Sequence, residues 1–296
     1  MLREVYNFIL HLRLHYQFFI LSGGYLLGGL LANQMNNSEY WLQFFNVHIL
    51  LFGGATAFNS FWDKDTGPVG GLKHPPEMKP WMHKFSLFMM GIGWIWALSV
   101  GLQYAVIYGI SVLLFWLYST PLARWKGHPH LSLLAIAVST GINSVFLGLL
   151  AAGGAISGLD LLGSAGAGLI LLSLYPVSQV YQIEEDKTRG DNTFAVLYGL
   201  NGVKNFFSGM FIIGLLLLSA GLFSMYQIPT LVLFVSGSVT YGVLLFLIFN
   251  LKGAEDEYQK VMNIKFFASL SFVLFLFIAN SIRYGWISAP FLQEFF

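Results

Sequence analysis

Residues 159–191 read LDLLGSAGAGLILLSLYPVSQVYQIEEDKTRGD, an apolar run that reaches Gln182 and then breaks abruptly into acids and bases. The apolar part has the length of about 20 residues that a helix needs to cross the hydrocarbon of a bilayer. It is continuous, where a barrel strand would alternate over about ten residues, so a transmembrane helix is implied. A second run, 40–62, ends in the same manner, with Asn59-x-x-x-Asp63-Lys-Asp65 at its close. Two acidic stretches, each ending an apolar helix, are the most informative feature of the chain.

Worked outward from these two runs, the same pattern fills the chain. Hydrophobic residues make up 56% of its 296 residues and charged ones 10%, against roughly a quarter charged in soluble domains. Apolar stretches at about 14–33, 40–62, 84–102, 104–120, 131–153, 159–182, 203–225, 228–250 and 264–286 predict nine transmembrane helices. The expected fold is therefore an all-α membrane protein, a bundle in one domain over 1–296. A net charge of +1 excludes a nucleic-acid surface, and the absence of cysteine excludes disulfides, thiolate metal sites and thiol nucleophiles. The first thirteen residues are too short and too charged for a cleavable signal, so an unprocessed integral protein is expected. With the N-terminus in the cytoplasm, every Lys and Arg except Arg283 falls on the cytoplasmic side, as the positive-inside rule demands. The loops at about 64–83 and 187–202 are the cytoplasmic ones long enough to cover a site.

Both acidic helix ends then share the cytoplasmic face. Asn59 and Asp63 are spaced i, i+4 and stand on one helical face, which His48, Phe52 and Thr56 continue deeper. Tyr175, Gln179, Gln182 and Asp186 draw a polar stripe along the sixth span. Polar groups near membrane depth persist where they face a cavity or one another. Carboxylates gathered at one rim repel unless cations relieve them. Mg²⁺ suits such a place, since it is usually held by one or two carboxylates together with substrate phosphates. Lys73, Arg124, Lys126, Lys187 and Arg189 lie on the same face and are candidates for the remaining phosphate charge, although the positive-inside rule alone accounts for their side. His48 reads first as a hydrogen-bonded packing residue and second as a cavity contact. Asn143 reads equally as interhelical glue and as an acceptor contact. The glycine pairs at 23–24, 53–54, 70–71 and 153–154 read as close packing or turns.

In order, NxxxD at Asn59 and Asp63, YSTPLARWKGHP at 118–129 and YQIEEDKTRGDNTFAVLYG at 181–199 follow the second, fourth and sixth spans. This order resembles the UbiA superfamily of intramembrane prenyltransferases. The resemblance implies nine helices around a central cavity, an isoprenyl diphosphate held by Mg²⁺ between two acidic motifs, and a carbocation captured by a hydrophobic or aromatic acceptor. It implies metal or catalytic roles for Asn59, Asp63 and Asp186, and places Tyr118, Arg124 and Lys126 near the diphosphate. Where that family usually carries further acids, this chain has Gly67 and Gln182. Gln182 still offers a carbonyl oxygen, while Glu184, Glu185, Asp191 and Asp65 are candidate substitutes. Asp65 would be rotated about 200° from the usual position on a continuing helix. Gln179, His48 and Asn143 are the expected cavity residues on the acceptor side. The expected setting is a prokaryotic inner membrane with the site facing the cytoplasm. Two other readings stay open: a UbiA-like terpene cyclase that needs no acceptor, and a non-catalytic lipid-binding or transport protein.

Overall fold

The computed structural model describes residues 2–64 and 67–296, and among them the regular structure is helical. A short helix α1 (Leu2–His11) precedes the bundle. The long elements are then α2 (14–31), α3 (Asn37–Asp63), α4 (Pro80–Ala97), α5 (Leu102–Ser119), α6 (Pro129–Ala151), α7 (Gly158–Arg189), α8 (Phe194–Phe223), α9 (Gln227–Phe249) and α10 (Glu255–Arg283), with a terminal turn α11 (Pro290–Gln293). Each of the nine expected spans coincides with one of α2 to α10. Seven of them are long and apolar enough to cross a membrane by length and composition. The other two are α2, which opens with His15 and Gln17, and α4, which carries Pro80, His83, Lys84 and Ser86 in its first turns. Their polar openings lower the mean hydropathy without stopping the helix.

Helix contacts run through small residues, as in membranes where close van der Waals approach replaces the hydrophobic drive. A Cβ added to Gly28 of α2 would lie 2.0 Å from the Val145 carbonyl oxygen of α6, and one on Gly148 would lie 2.0 Å from that of Tyr25. The two helices therefore touch backbone to backbone, and an alanine at either position has no room.

Five spans depart from the regular helix that the sequence pattern assumes. The backbone widens into π-helical stretches at Gln17–Leu21, Asn46–Gly53 and Ala137–Ile142, a form frequent near functional sites. Helix α7 tightens to 3₁₀ form over Pro176–Gln182 and resumes as an α-helix at Ile183–Arg189. Pro176 supplies the reason, because it has no N–H to give to the preceding turn. Helix α8 starts at Phe194, well before the expected 203, with Thr193 capping its first turn and a kink at Gly199. The expected 187–202 loop thus shrinks to a short turn. Asp65 lies outside the described residues.

Candidate active site

One cavity of about 490 Å³ opens between the helices and is lined by residues of α2, α3 and α5 to α10, a size ordinary for a small-molecule site. Its mouth is charged and its depth apolar. At the mouth stand Asn59, Asp63, Lys126, Gln182, Asp186, Arg189 and Asp191; inward lie Phe52, Phe115, Leu171, Leu174, Phe211, Leu215, Leu218, Phe272 and Phe275.

The end of α3 is built as its spacing predicts. Asn59 Nδ2 donates to Asp63 Oδ2 at 2.7 Å, and Ser119 of α5 donates to Asn59 Oδ1 at 3.0 Å, which fixes the amide's orientation. Lys126 Nζ donates to the other carboxylate oxygen, Asp63 Oδ1, and both side chains are nearly buried. Lys126 reaches that point because its loop is clamped to the turn after α7. Arg124 grips Asp191 with two bonds of 2.8 Å, and the Asn192 N–H donates to the Gly127 carbonyl at 3.0 Å. A planar guanidinium matches a carboxylate in this bidentate way. The hydrogen bonds from Arg124 to Asp191 push the Arg124 pKa up from its ordinary value.

The end of α7 is different. Asp186 is buried and accepts a hydrogen bond from the Thr193 hydroxyl at 3.1 Å. Tyr175, Gln179, Gln182 and Asp186 all line the cavity, so the polar stripe survives the 3₁₀ segment. Gln179 Oε1 also accepts from the Ala195 N–H at 3.2 Å, tying α7 to the start of α8. Across the mouth, the hydroxyls of Tyr118 and Tyr175 share a hydrogen bond of 2.9 Å.

Several expected positions fall elsewhere. Lys73 is exposed and does not line the cavity. Lys187 is exposed as well and pairs with Glu184 at 2.7 Å, since one residue beyond Asp186 on the helix turns the side chain away from the cavity. Glu185 stands outside the lining and pairs with Arg189, which does line it. Arg124 does not line the cavity and meets its mouth through the two bonds to Asp191. His48 is fully buried among Phe18, Tyr25, Phe44 and Phe52, with Nδ1 bonded to the Phe44 carbonyl at 2.7 Å. The π-helical stretch around it rotates His48 off the face that Phe52, Thr56, Asn59 and Asp63 keep toward the cavity. Asn143 donates to Ser111 Oγ at 2.9 Å and to the Ile107 carbonyl at 3.3 Å, so it glues α6 to α5 while Thr140 faces the cavity. Arg13, Tyr16 and Lys265 also line the cavity. The sequence offered no signal for them beyond the side of the membrane expected for their charge.

Among the described residues no three His, Cys, Asp or Glu side chains group into a ready-made cation site. With Asp191 taken up by Arg124, the Asp63 and Asp186 carboxylates and the Asn59 and Gln182 amides at the mouth fit a hard divalent ion that completes its shell with substrate phosphate oxygens.

The chain matches the UbiA prenyltransferase family over residues 21–271. No curated protein matches it in sequence. Solved structures share its fold at low identity. A UbiA homologue from Archaeoglobus fulgidus bound to GPP and Mg²⁺ superposes with a TM-score of 0.72 at 14% identity, covering 93% of this chain and 99% of the other. The same homologue bound to DMAPP and Mg²⁺ gives 0.70 at 14%, with the same coverage. A structure described for digeranylgeranylglyceryl phosphate synthase in membranes gives 0.64 at 16%, covering 94% and 99%.

Proposed function

The chain belongs to the UbiA prenyltransferase family, and we propose that it moves an isoprenyl group from an isoprenyl diphosphate to an acceptor within the membrane, with Mg²⁺ as cofactor. In this reading residues 1–296 work as one domain, and the charged mouth faces the cytoplasm of a prokaryotic cell, on the side of the N-terminus. One observation supports it above the rest: Asp63 and Asp186, from helices far apart in the chain, share the mouth of a single cavity whose depth is apolar. A charged head and a hydrocarbon tail are what an isoprenyl diphosphate presents. GPP and DMAPP, held with Mg²⁺ by the Archaeoglobus homologue, are donors of this class.

Asp63 with Asn59, and Asp186 with Gln182, would hold Mg²⁺, which when bound neutralises diphosphate charge as a Lewis acid. Lys126 and Arg189 line the same mouth and stabilise the charge that gathers on the leaving group as the allylic C–O bond breaks and its electron pair departs with the diphosphate. Ser119 and the Arg124–Asp191 clamp keep Asn59 and Lys126 in position. Tyr118 and Tyr175 line the same cavity and supply aromatic rings of the kind that attract an allylic cation. The apolar wall excludes water from that cation. An acceptor atom then forms the new bond to the allylic carbon and loses a proton.

The test is turnover by the purified protein in nanodiscs with geranyl, farnesyl or geranylgeranyl diphosphate, followed as diphosphate release and by product mass. Release that stops on adding EDTA and returns with Mg²⁺ is the expected result. No Mg²⁺-dependent consumption of any of the three donors would remove the reading, and cyclised hydrocarbon or alcohol without an acceptor would replace transfer by cyclisation.

A further inference from the structure

Helix α1 does not line the cavity, yet its ten residues divide into three faces with three different surroundings. Phe8 and His11 are buried against the bundle. The Phe8 ring stands 5.6 Å from that of Trp81 and 5.3 Å from that of Phe85 at the start of α4, and His11 Nε2 donates to the Pro76 carbonyl at 2.7 Å. Arg3 and Asn7, four residues apart, share a second face. Leu2, Val5, Tyr6 and Ile9 share the third, and they are exposed at 85%, 43%, 61% and 47%. An apolar face this open, on a helix already held by another of its sides, needs a cover.

The surroundings identify that cover. A helix of ten residues is about 15 Å long, half of the about 30 Å of hydrocarbon, so α1 cannot cross a membrane. Arg13, left-handed at φ 49° and ψ 46°, separates it from the spanning helix α2. Beside it, Trp81, Phe85, Phe88, Ile92 and Ile95 form one exposed apolar stripe along α4, at alternating steps of four and three. Phe8 lies against the first two of these, so the open face of α1 adjoins the head of a stripe that acyl chains cover. Arg3 and Glu4 offset each other's charge, which leaves apolar burial, and not attraction to lipid phosphates, to hold the helix. Four side chains also fall short of the about 800 Å² per partner that a stable protein interface buries, which argues against a second copy as the cover.

We propose that α1 lies in the lipid interface on the side of the charged mouth, with Leu2, Val5, Tyr6 and Ile9 among the first acyl carbons, and that it pins the turn 67–79 from there. The far end of that turn is tied to α1: Pro76 is held by His11, and Met78 packs against the cluster of Phe8, Leu12 and Met82. The near end lines the cavity through Val69 and Gly70, and two backbone bonds of 2.8 and 2.7 Å between Val69 and Leu72 close it. A helix held by lipid on one face and by the bundle on another thus fixes part of the wall of the mouth. The inference stands apart from which reaction the cavity performs.

The chain contains no cysteine, so single nitroxide labels can be placed on the full protein through Arg3→Cys, Val5→Cys, Asn7→Cys, Ile9→Cys and, as a lipid-facing reference, Phe88→Cys. Each is reconstituted in vesicles of phosphatidylcholine, alone and mixed with phosphatidylglycerol. The Val5 and Ile9 labels are expected to be reached by oxygen in preference to a water-soluble nickel chelate, as the Phe88 label is, at a depth of about 5–10 Å. The Arg3 and Asn7 labels should prefer the chelate, and both lipid mixtures should give the same depths. The proposal is overturned if the Val5 and Ile9 labels prefer the chelate, or if their depth requires phosphatidylglycerol. It is equally overturned if both reagents are shut out and spin–spin broadening disappears on dilution with unlabelled protein, which would assign the face to a second copy. A label at the exposed Lys73, through Lys73→Cys, reports the turn. Adding Val5→Ser and Ile9→Ser should shorten its rotational correlation time by about twofold or more. An unchanged spectrum overturns the pinning, and Ile9→Ser alone carries this arm if the double variant does not fold.

Discussion

The two acidic helix ends perform the same geometric task with different chemistry. Asp63 closes a regular α-helical segment, has both oxygens engaged by Asn59 and Lys126, and sits within a buried ion pair. Asp186 follows a 3₁₀ segment and receives a side-chain hydrogen bond from the Thr193 hydroxyl. The first carboxylate is neutralised by its own protein; the second is oriented, but its charge is matched less directly. The difference teaches that the mouth is asymmetric: one half is built for stability as well as binding, the other mainly for binding.

Breaking either half at its carboxylate gives the largest effects. Asp63→Asn and Asp186→Asn are each expected to lower kcat/KM by about a thousandfold in the turnover assay, the scale of losing electrostatic support for a developing charge. The asymmetry appears in a second measurement. Thermal unfolding should shift downward for Asp63→Asn, which strands Lys126, and change little for Asp186→Asn. Equal thermal shifts would erase the distinction between the two ends.

Lys126 sharpens the same contrast from the cation's side. Lys126→Met leaves Asp63 buried without its ammonium, and removing one member of such a pair costs about 3 kcal/mol. The double variant Lys126→Met/Asp63→Asn should recover most of that loss in stability and none of the activity. A smaller step follows at the clamp. Arg124 is one-third exposed, so Arg124→Ala should cost about 1 kcal/mol or less in stability. Its larger readout is a KM for the donor raised about tenfold, because Lys126 loses its fixed position.

The regular helices and their charges were legible in the sequence, since apolar length and cation asymmetry are properties of local composition. All nine expected spans have a helix at their place, and the i, i+4 step from Asn59 to Asp63 became a hydrogen bond. What the sequence hid depends on departures from regular geometry or on partners distant in the chain. Lys187 and Arg189 read alike in the sequence as phosphate ligands, but neighbouring positions on a helix point apart: Lys187 pairs outward with Glu184 while Arg189 lines the cavity. The Arg124–Asp191 clamp joins loops 67 residues apart, and no local pattern announces it. Arg13 and Lys265, which line the cavity, were masked by the positive-inside rule, which accounts for the side expected of them and so conceals any further use.

His48 provides the smallest effect and the finest test of that account. A regular helix would set it on the face of Asn59 and Asp63, within reach of an acceptor; the π-helical stretch Asn46–Gly53 turns it into an aromatic cluster instead. Its Nε2 has no partner there, so the ring contributes packing and one backbone hydrogen bond. Phenylalanine fills nearly the same volume and removes the unpartnered nitrogen, losing only the bond to Phe44. His48→Phe should therefore leave kcat/KM within about twofold and stability within about 1 kcal/mol, the range of a volume-conserving core exchange. A large fall in kcat with unfolding unchanged would mean that the ring reaches the reacting groups after all, and that the widened turn does not rotate it away from the acidic face.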